Sequence, residues 1–341
     1  MTPKKLVLNP KDQGSAKLVL IDGNAILHRA YHALPPLTNR QGQIVNAVYG
    51  FCTMLFRVVQ DLKPSHLAVA FDTEKPTFRH AAYVGYQAQR PRMESDLSEQ
   101  IALVQDMVST MGVPIYIAPG YEADDVIGTL AHQAKSNKQK AAPAKAKLRR
   151  CGRAISEVIV VTGDRDLFQL INKHVKVYSP MKGLSEAQVF DEKGVEDYMG
   201  IPSTKIVDYK ALIGDSSDNY SGVPGIGPKT AVALLKKYGS FEGIYKHIKE
   251  LEPSLVQKLS EGHESGILSR DLATIRTDAP VELDLEHAKL QPFTSNARFI
   301  KRLQELGFKS LVARLQNGTV KEQRMPKKKK ARKGEQQLKL V

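Results

Sequence analysis

The chain has no tryptophan, and only two of its 341 residues, Cys52 and Cys151, are cysteines. One lies in an apolar helical run and the other in a basic stretch. That excludes a disulfide framework and a cysteine zinc site, and it suits a reducing cytoplasm. His28 and His32 stand at i, i+4, but no third ligand accompanies them, so they read as helix surface rather than zinc ligands. No apolar run is long enough to span a bilayer and no signal peptide opens the chain, so no membrane partner is expected. Acid is the scarcer charge, 36 Asp and Glu against 50 Lys and Arg, for a formal net charge of +14. Such an excess suits a polyanion bound through its phosphates.

The scarce acids are concentrated. Residues 120–128 read Gly-Tyr-Glu-Ala-Asp-Asp-Val-Ile-Gly, with Glu122, Asp124 and Asp125 at a strand end and in the first turn of a helix. A helix N-terminus favours negative charge only weakly, whereas three acids sharing a pocket repel one another strongly. Three further apolar, β-branched runs finish the same way: residues 17–22 on Asp22, 66–72 on Asp72, and 158–166 on Asp164 and Asp166. Helical stretches separate them, which predicts a parallel sheet of β-α-β units with its site beyond the carboxyl ends of the strands. Asp215 and Asp218 follow at i, i+3, the spacing that puts both carboxylates on one side of a helical turn.

Nine carboxylates cannot share a pocket without cations. Oxygen-only ligands point to magnesium, with manganese able to substitute, and two such ions are an apparatus for phosphodiester cleavage. Setting the nine aside takes the formal charge from +14 to +23, so a basic surface surrounds an acidic site. A phosphatase with an aspartyl nucleophile would need an aspartate two residues after the first, and Asp22 is followed by Gly23 and Asn24. A protein that only binds nucleic acid would be expected to have lost the acids.

Arg29, two turns into the helix after Asp22, is placed to reach a phosphate. Residues 75–96 interleave Lys75, Arg79, Arg90 and Arg92 with Phe78, Tyr83 and Tyr86, a mixture suited to single-stranded nucleic acid. Asp96 with Glu99 reads as a capping pair for the next helix. Residues 135–154 carry eight basic residues and no acid, and read as a low-complexity surface loop. The segment 222–231, Gly-Val-Pro-Gly-Ile-Gly-Pro-Lys-Thr-Ala, lacks the preceding strand and the third glycine of a dinucleotide fingerprint. It reads instead as a helix-hairpin-helix turn, in which Gly225 and Gly227 allow a tight bend, the helix begins at Thr230, and backbone amides with Lys229 hold a phosphate. After residue 316 the apolar pattern stops, and a basic tail follows.

Together these stretches resemble the 5′-nuclease (flap endonuclease) family, most closely the 5′→3′ exonuclease domain of bacterial DNA polymerase I. The resemblance rests on Asp22-Gly-Asn, Arg29-Ala-Tyr-His-Ala, Val69-Ala-Phe-Asp, residues 120–128, Thr162-Gly-Asp-Arg-Asp, residues 214–219, residues 222–231, Leu272-Ala-Thr-Ile-Arg-Thr-Asp and Leu306-Gly-Phe-Lys-Ser-Leu. No polymerase-like region follows, so a free-standing member is expected. The resemblance implies an α/β fold, with a PIN-like parallel-sheet nuclease core at 17–190, a helical arch at about 75–96 and a helix-hairpin-helix domain at 191–316. Residues 1–16 are expected as a flexible N-terminus and 317–341 as a disordered basic tail.

It also implies a metal-dependent DNA 5′ nuclease, with 5′→3′ exonuclease and 5′-flap endonuclease action in primer removal and repair, leaving 5′-phosphates. The metal set would be Asp22, Asp72, Glu122, Asp124, Asp125, Asp164, Asp166, Asp215 and Asp218, holding two magnesium ions. Arg29, Tyr86 and Arg90 would act on the scissile phosphate. Arg79, Tyr83, Arg92, Gly225, Gly227, Lys229 and Thr230 would contact DNA, with a potassium ion at the hairpin. The family's arch commonly has lysine after the tyrosine matching Tyr86; here it is Gln87, with Arg90 as the substitute. Partners would be DNA with 5′ flaps, nicks or RNA primers, and a DNA polymerase, at the nucleoid. The final residues Gln337-Leu-Lys-Leu-Val341 resemble the peptide by which bacterial replication proteins bind the sliding clamp, with Val341 where phenylalanine is usual.

Overall fold

The computed structural model describes residues 16–90, 93–136, 154–182 and 186–317. The elements run β1 (Ala16–Asp22), α1 (Gly23–Ala33), α2 (Asn46–Leu62), β2 (His66–Ala70), α3 (Phe78–Ala82), α4 (Ser95–Thr110), β3 (Ile115–Tyr116), α5 (Ala123–Ser136), β4 (Ile155–Val161), β5 (Val175–Lys182) and β6 (Glu186–Phe190). Eight helices follow: α6 (Glu192–Met199), α7 (Ile206–Ile213), α8 (Pro228–Tyr238), α9 (Phe241–Lys246), α10 (Pro253–Glu261), α11 (His263–Ala273), α12 (Ala297–Glu305) and α13 (Lys309–Asn317).

The strands form one sheet in the order β3-β2-β1-β4-β5-β6, parallel except for β6. Strand order reverses beside β1, the place where open α/β sheets bind ligands. The strands alternate, as period-2 geometry requires. Val19, Ile21, Val69, Ile159 and Val161 face α1, α2 and α4, whereas Leu18, Leu20, Ala68, Val158 and Val160 face α5. The strand expected ahead of the acidic run 120–128 is only Ile115–Tyr116, because it sits at the sheet edge with one neighbour, β2.

The stretch expected as one helical domain, 191–316, is divided. Residues from α7, α8, α9 and α10 enclose their own core around Leu212, Leu235, Phe241 and Leu259. Phe293, Phe299, Leu303, Phe308 and Leu311 instead pack into the core of the sheet domain. Phe56 of α2 stacks on Phe293 and meets Phe299 edge-on. The chain therefore returns to the first domain after crossing the second, and α12 and α13 complete the layer that α2 and α4 begin.

Two glycine contacts fix the strand-end geometry. A Cβ on Gly23 would lie 2.5 Å from the Phe71 ring, so only glycine lets β1 turn into α1 against β2. Gly214 and Gly222, at φ +71° and +62°, cross so closely that a Cβ on either would lie 2.3 Å from backbone of the other's turn. Their crossing closes the loop 215–220, in which Asp215 and Tyr220 exchange backbone hydrogen bonds of 2.8 and 3.0 Å. Asp215 and Asp218 thus sit on a closed loop rather than on the helical turn their spacing suggested.

Candidate active site

The sheet brings the strand-end acids together. Asp22 ends β1 and caps α1: its Oδ1 accepts from Ala25 N at 2.9 Å and its Oδ2 from Thr162 Oγ1 at 2.8 Å. Thr162 also accepts from Asp164 N at 2.9 Å, and Asp164 Oδ1 accepts from Asp166 N at 2.8 Å. One threonine after β4 thereby ties three of the acids into one arrangement. Asp72, just past β2, accepts from Ala123 N at 2.7 Å and so caps the start of α5 from a different strand.

The electrostatics record the crowding. Burial pushes the Asp22 carboxyl up to about 7, aided by the charges of Asp72 and Asp164. Burial also lifts Glu122 to about 7, with Asp72, Asp125 and Asp218 adding repulsion against the pull of Arg79. Asp124 is driven well above the usual range by burial and by four neighbouring acids, Asp164, Asp22, Asp72 and Glu122. Carboxylates so placed demand a compensating cation.

A second group forms where the helical domain meets the end of β4. Ligand oxygens of Asp166, Asp215 and Asp218 lie within 4.8 Å of one another. Lys210, in the last turn of α7, stands between two of them, with Nζ 2.6 Å from Asp166 Oδ1 and also paired with Asp215. Burial raises Asp166 to about 6 despite the lysine, whereas Asp215 is held low: Lys210 and Ser217 outweigh its burial. Lys210 is not among the expected site residues. Its one signal was its place five residues before Asp215.

Two expected roles are corrected. Asp125 is buried, and its carboxylate is filled by Arg79 at 2.7 and 2.9 Å, by Glu122 N at 3.1 Å and by Arg276 N at 2.8 Å. It has no lone pair left for a metal. Arg79, expected at DNA, is 3% exposed and spends its donors inside the protein. Basic residues interleaved with rings suggested an exposed strip, and the tertiary fold buried this one.

The rest of the arch lies over the acids. Tyr86 is buried, and its hydroxyl donates to Glu122 Oε2 at 3.2 Å and Asp218 Oδ2 at 3.4 Å, so it braces two acids. Tyr83 is half-buried beside Tyr86, Tyr220 and Leu272 rather than presented to solvent. Gln87, at φ +54°, donates from Nε2 to Asp218 Oδ1 at 3.0 Å, and exposed Arg90 reaches the same oxygen at 3.5 Å. Arg29 Nη1 lies 3.9 Å from where a Cβ on Gly163 would sit, beside Asp164. Glu94 occupies the N-cap position of α4 without a side-chain capping bond, and Asp96 accepts from Tyr31 Oη rather than pairing with Glu99. Arg92 lies outside the described residues.

The hairpin runs from α7 to α8. The second helix begins at Pro228, two residues before the expected start, since proline suits a first helical position. Gly225, at φ +79°, Gly227 and Lys229 are exposed and Thr230 is half-exposed. The Lys258 side chain from α10 lies 3.1 Å from where a Gly225 Cβ would be, a further cation at the turn that sequence alone did not bring there.

The family described as "5'-3' exonuclease, N-terminal resolvase-like domain" matches residues 17–200, and "5'-3' exonuclease, C-terminal SAM fold" matches residues 201–296. The chain belongs to the 5'-3' exonuclease family. Among relatives in this family, a 5'-3' exonuclease of Aquifex aeolicus is 36% identical over 295 residues, covering 86% of this chain and 93% of that protein. DNA polymerase I of Bacillus caldotenax is 39% identical over 309 residues, covering 90% of this chain and 33% of that protein. The chain thus spans about a third of the length of the polymerase I relatives it matches. In fold it is similar to the bacteriophage T5 flap endonuclease solved with DNA and metal ions, at a TM-score of 0.58 and 16% identity, over 88% of this chain and 97% of that one. Family membership agrees with the resemblance read from the motifs, and with an α/β resolvase-like domain joined to a SAM-like helical one.

Proposed function

We propose that this chain is a metal-dependent DNA nuclease that cuts 5′ flaps and shortens 5′ ends, removing RNA primers and damaged strands, with 5′-phosphate products. The observation that carries the reading is the convergence of two carboxylate groups, one from the strand ends and one from the loop 215–220, beneath the arch. The oxygen-only donor set fits hard divalent ions, magnesium first, and the raised carboxyls fit a site that gains from positive charge. Asp22, Asp72, Glu122, Asp124 and Asp164 would hold one part of that charge, and Asp166, Asp215 and Asp218 the other. When bound, two such ions supply a hydroxide from water and charge against the leaving 3′ oxygen.

The chain's own residues do the rest. Arg29, close to Gly163, and Arg90, 3.5 Å from Asp218, would neutralise the transferring phosphate. Gln87 contributes a neutral amide where a cation would otherwise stand, so phosphate steering falls to Arg90. The hairpin holds duplex phosphate through the amides at Gly225 and Gly227 and the charge of Lys229, with a potassium ion as a further element of that grip. The direct test is a labelled 5′-flap duplex with the full chain and magnesium. Cleavage at the junction is expected, and no cleavage with magnesium or manganese would sink the reading.

Hairpin contacts to phosphate carry no sequence information. Lys229→Ala is therefore expected to weaken all duplexes alike and to lower the salt slope of binding by about one unit. Weakening confined to some sequences would contradict it.

The terminal segment 337–341 lies outside the described residues, as do 1–15, 137–153 and 318–336. Its Gln-Leu-Lys-Leu-Val pattern supports a proposed sliding-clamp contact, with two leucines and a terminal valine filling an apolar pocket and the glutamine fixing orientation. Titration of a peptide of residues 331–341 with a bacterial clamp should show binding that Gln337→Ala with Leu340→Ala removes. Equal behaviour of the two peptides would leave only a basic tail.

A further inference from the structure

Asp125 and Arg79 are filled by each other and by backbone, yet they adjoin the acids. A guanidinium has five N–H donors, and each of Arg79's is committed. Nε donates to Leu272 O at 2.8 Å, Nη1 to Asp125 Oδ2 at 2.7 Å and Glu122 Oε2 at 3.1 Å, and Nη2 to Asp125 Oδ1 at 2.9 Å and Thr274 O at 3.0 Å. With Arg79 itself, those partners join three separate parts of the chain. Arg79 is in α3 at the base of the arch, Asp125 and Glu122 lie at the start of α5, and Leu272 and Thr274 lie where α11 leaves the helical domain.

The ends of the node are anchored too. Arg276 N donates to Asp125, and the Arg276 and Arg79 guanidinium groups both lie over the Phe78 ring, at 4.1 and 4.5 Å from its centre. A Cβ on Gly128 would lie 2.7 Å from Ile275, so α5 and the segment after α11 are also in direct contact. Glu122 has no side-chain donor outside the arch base: Arg79, Tyr86 Oη at 3.2 Å and Thr77 Oγ1 at 3.4 Å are its partners among the described residues.

We propose that Arg79 is a positioning residue: paired with Asp125, it locks the arch base, the start of α5 and the exit of the helical domain together, and through that lock it aims Glu122 at the acid cluster. DNA held by the helical domain and the arch is thereby registered to the acids through one buried guanidinium. A lysine cannot replace it, because an ammonium has three donors and no planar fork.

The proposal rests on the nuclease reading, and its test separates the two. Arg79→Lys, Asp125→Asn and the double variant are prepared as full chains. Assays run at a temperature where circular dichroism shows each folded. Single-turnover cleavage of a 5′-flap duplex, duplex affinity in calcium, bound manganese by calorimetry and thermal melting are measured. Each single variant is expected to lower the cleavage rate about ten-fold or more, with duplex affinity and manganese stoichiometry as in the wild type. The double variant should be no worse than the weaker single one, because both remove the same lock. Tyr86→Phe leaves the buried pair intact and removes one donor to Glu122, so it should also lower the rate at unchanged affinity. Loss of a manganese ion in Asp125→Asn, a reduced salt slope in Arg79→Lys, independent effects in the double variant, or an unchanged rate in Tyr86→Phe would each overturn the proposal. A wild type that does not cleave would sink the nuclease reading, while the melting temperatures would still report whether Arg79 and Asp125 act as one unit.

Discussion

Asp124→Asn should lose cleavage of a 5′-flap duplex by about a hundred-fold or more, and the same variant, free of divalent ions, should melt at a higher temperature than the wild type at pH 8. The two effects have one cause. No hydrogen bond holds the Asp124 carboxylate among the described residues, and the charges around it are Asp164, Asp22, Asp72 and Glu122. Its ionised form is therefore destabilising in the folded state unless a cation is present. Asparagine removes the repulsion and with it the ligand. A gain of stability on removing a functional group is the expected mark of a site built for its ligand rather than for the fold. Duplex affinity should stay within about two-fold, because the hairpin and arch contacts are untouched. Cleavage close to wild type, or a melting temperature lowered at pH 8, would count against Asp124 as a ligand. Asp125→Asn provides the contrast, since it should lower the melting temperature by breaking a buried pair.

The second large effect is the pH dependence of metal-free stability. The Asp22 and Glu122 carboxyls are raised to about 7 in the folded protein, from ordinary values of 3.8 and 4.5. Between about pH 4 and pH 7 the folded state thus holds protons that the unfolded chain has released. The proton count is higher in the native state, so stability falls as pH rises through that window, and the loss is complete above about 7. The two groups together therefore make the metal-free protein less stable at pH 8 than at pH 5.5. Divalent ions compete with those protons. Magnesium or manganese should therefore raise the melting temperature by several degrees at pH 8 and by much less at pH 5.5. The measurement is a set of melting curves at the two pH values, with and without the ion, and with Asp124→Asn as the control that blunts the difference. An equal ion-induced shift at both pH values would contradict the assignment of these acids.

Local patterns decided part of this protein. Apolar, β-branched runs ending on Asp22, Asp72 and Asp164 are a one-dimensional signal, because period-2 burial and strand termination are written over six or seven residues. Gly225 is legible for the same reason, answering to its own backbone turn at φ +79°. Charge excess and the scarcity of cysteine narrowed the chemistry to hard cations and a polyanion without any structure.

What no local pattern carried was which charges meet. Arg79 and Asp125 are separated by 46 positions and Arg79 and Leu272 by 193, and nothing in either neighbourhood marks them as partners. The acidic run at 122–125 therefore read as three equivalent ligands, although burial had turned Asp125 inward to an arginine and left Glu122 and Asp124 facing the cluster. Lys210 between Asp166 and Asp215, and Lys258 over Gly225, were hidden in the same way. The return of α12 and α13 to the sheet domain depends on Phe293 and Phe299 finding Phe56 and on Phe308 finding Tyr49, contacts between distant segments that the helical period of each cannot specify. Residue type and spacing determine what a segment can do alone. A charge becomes a ligand, a lock or a surface group only when the fold sets its neighbours and its distance from water, because the energy of a charge depends on both.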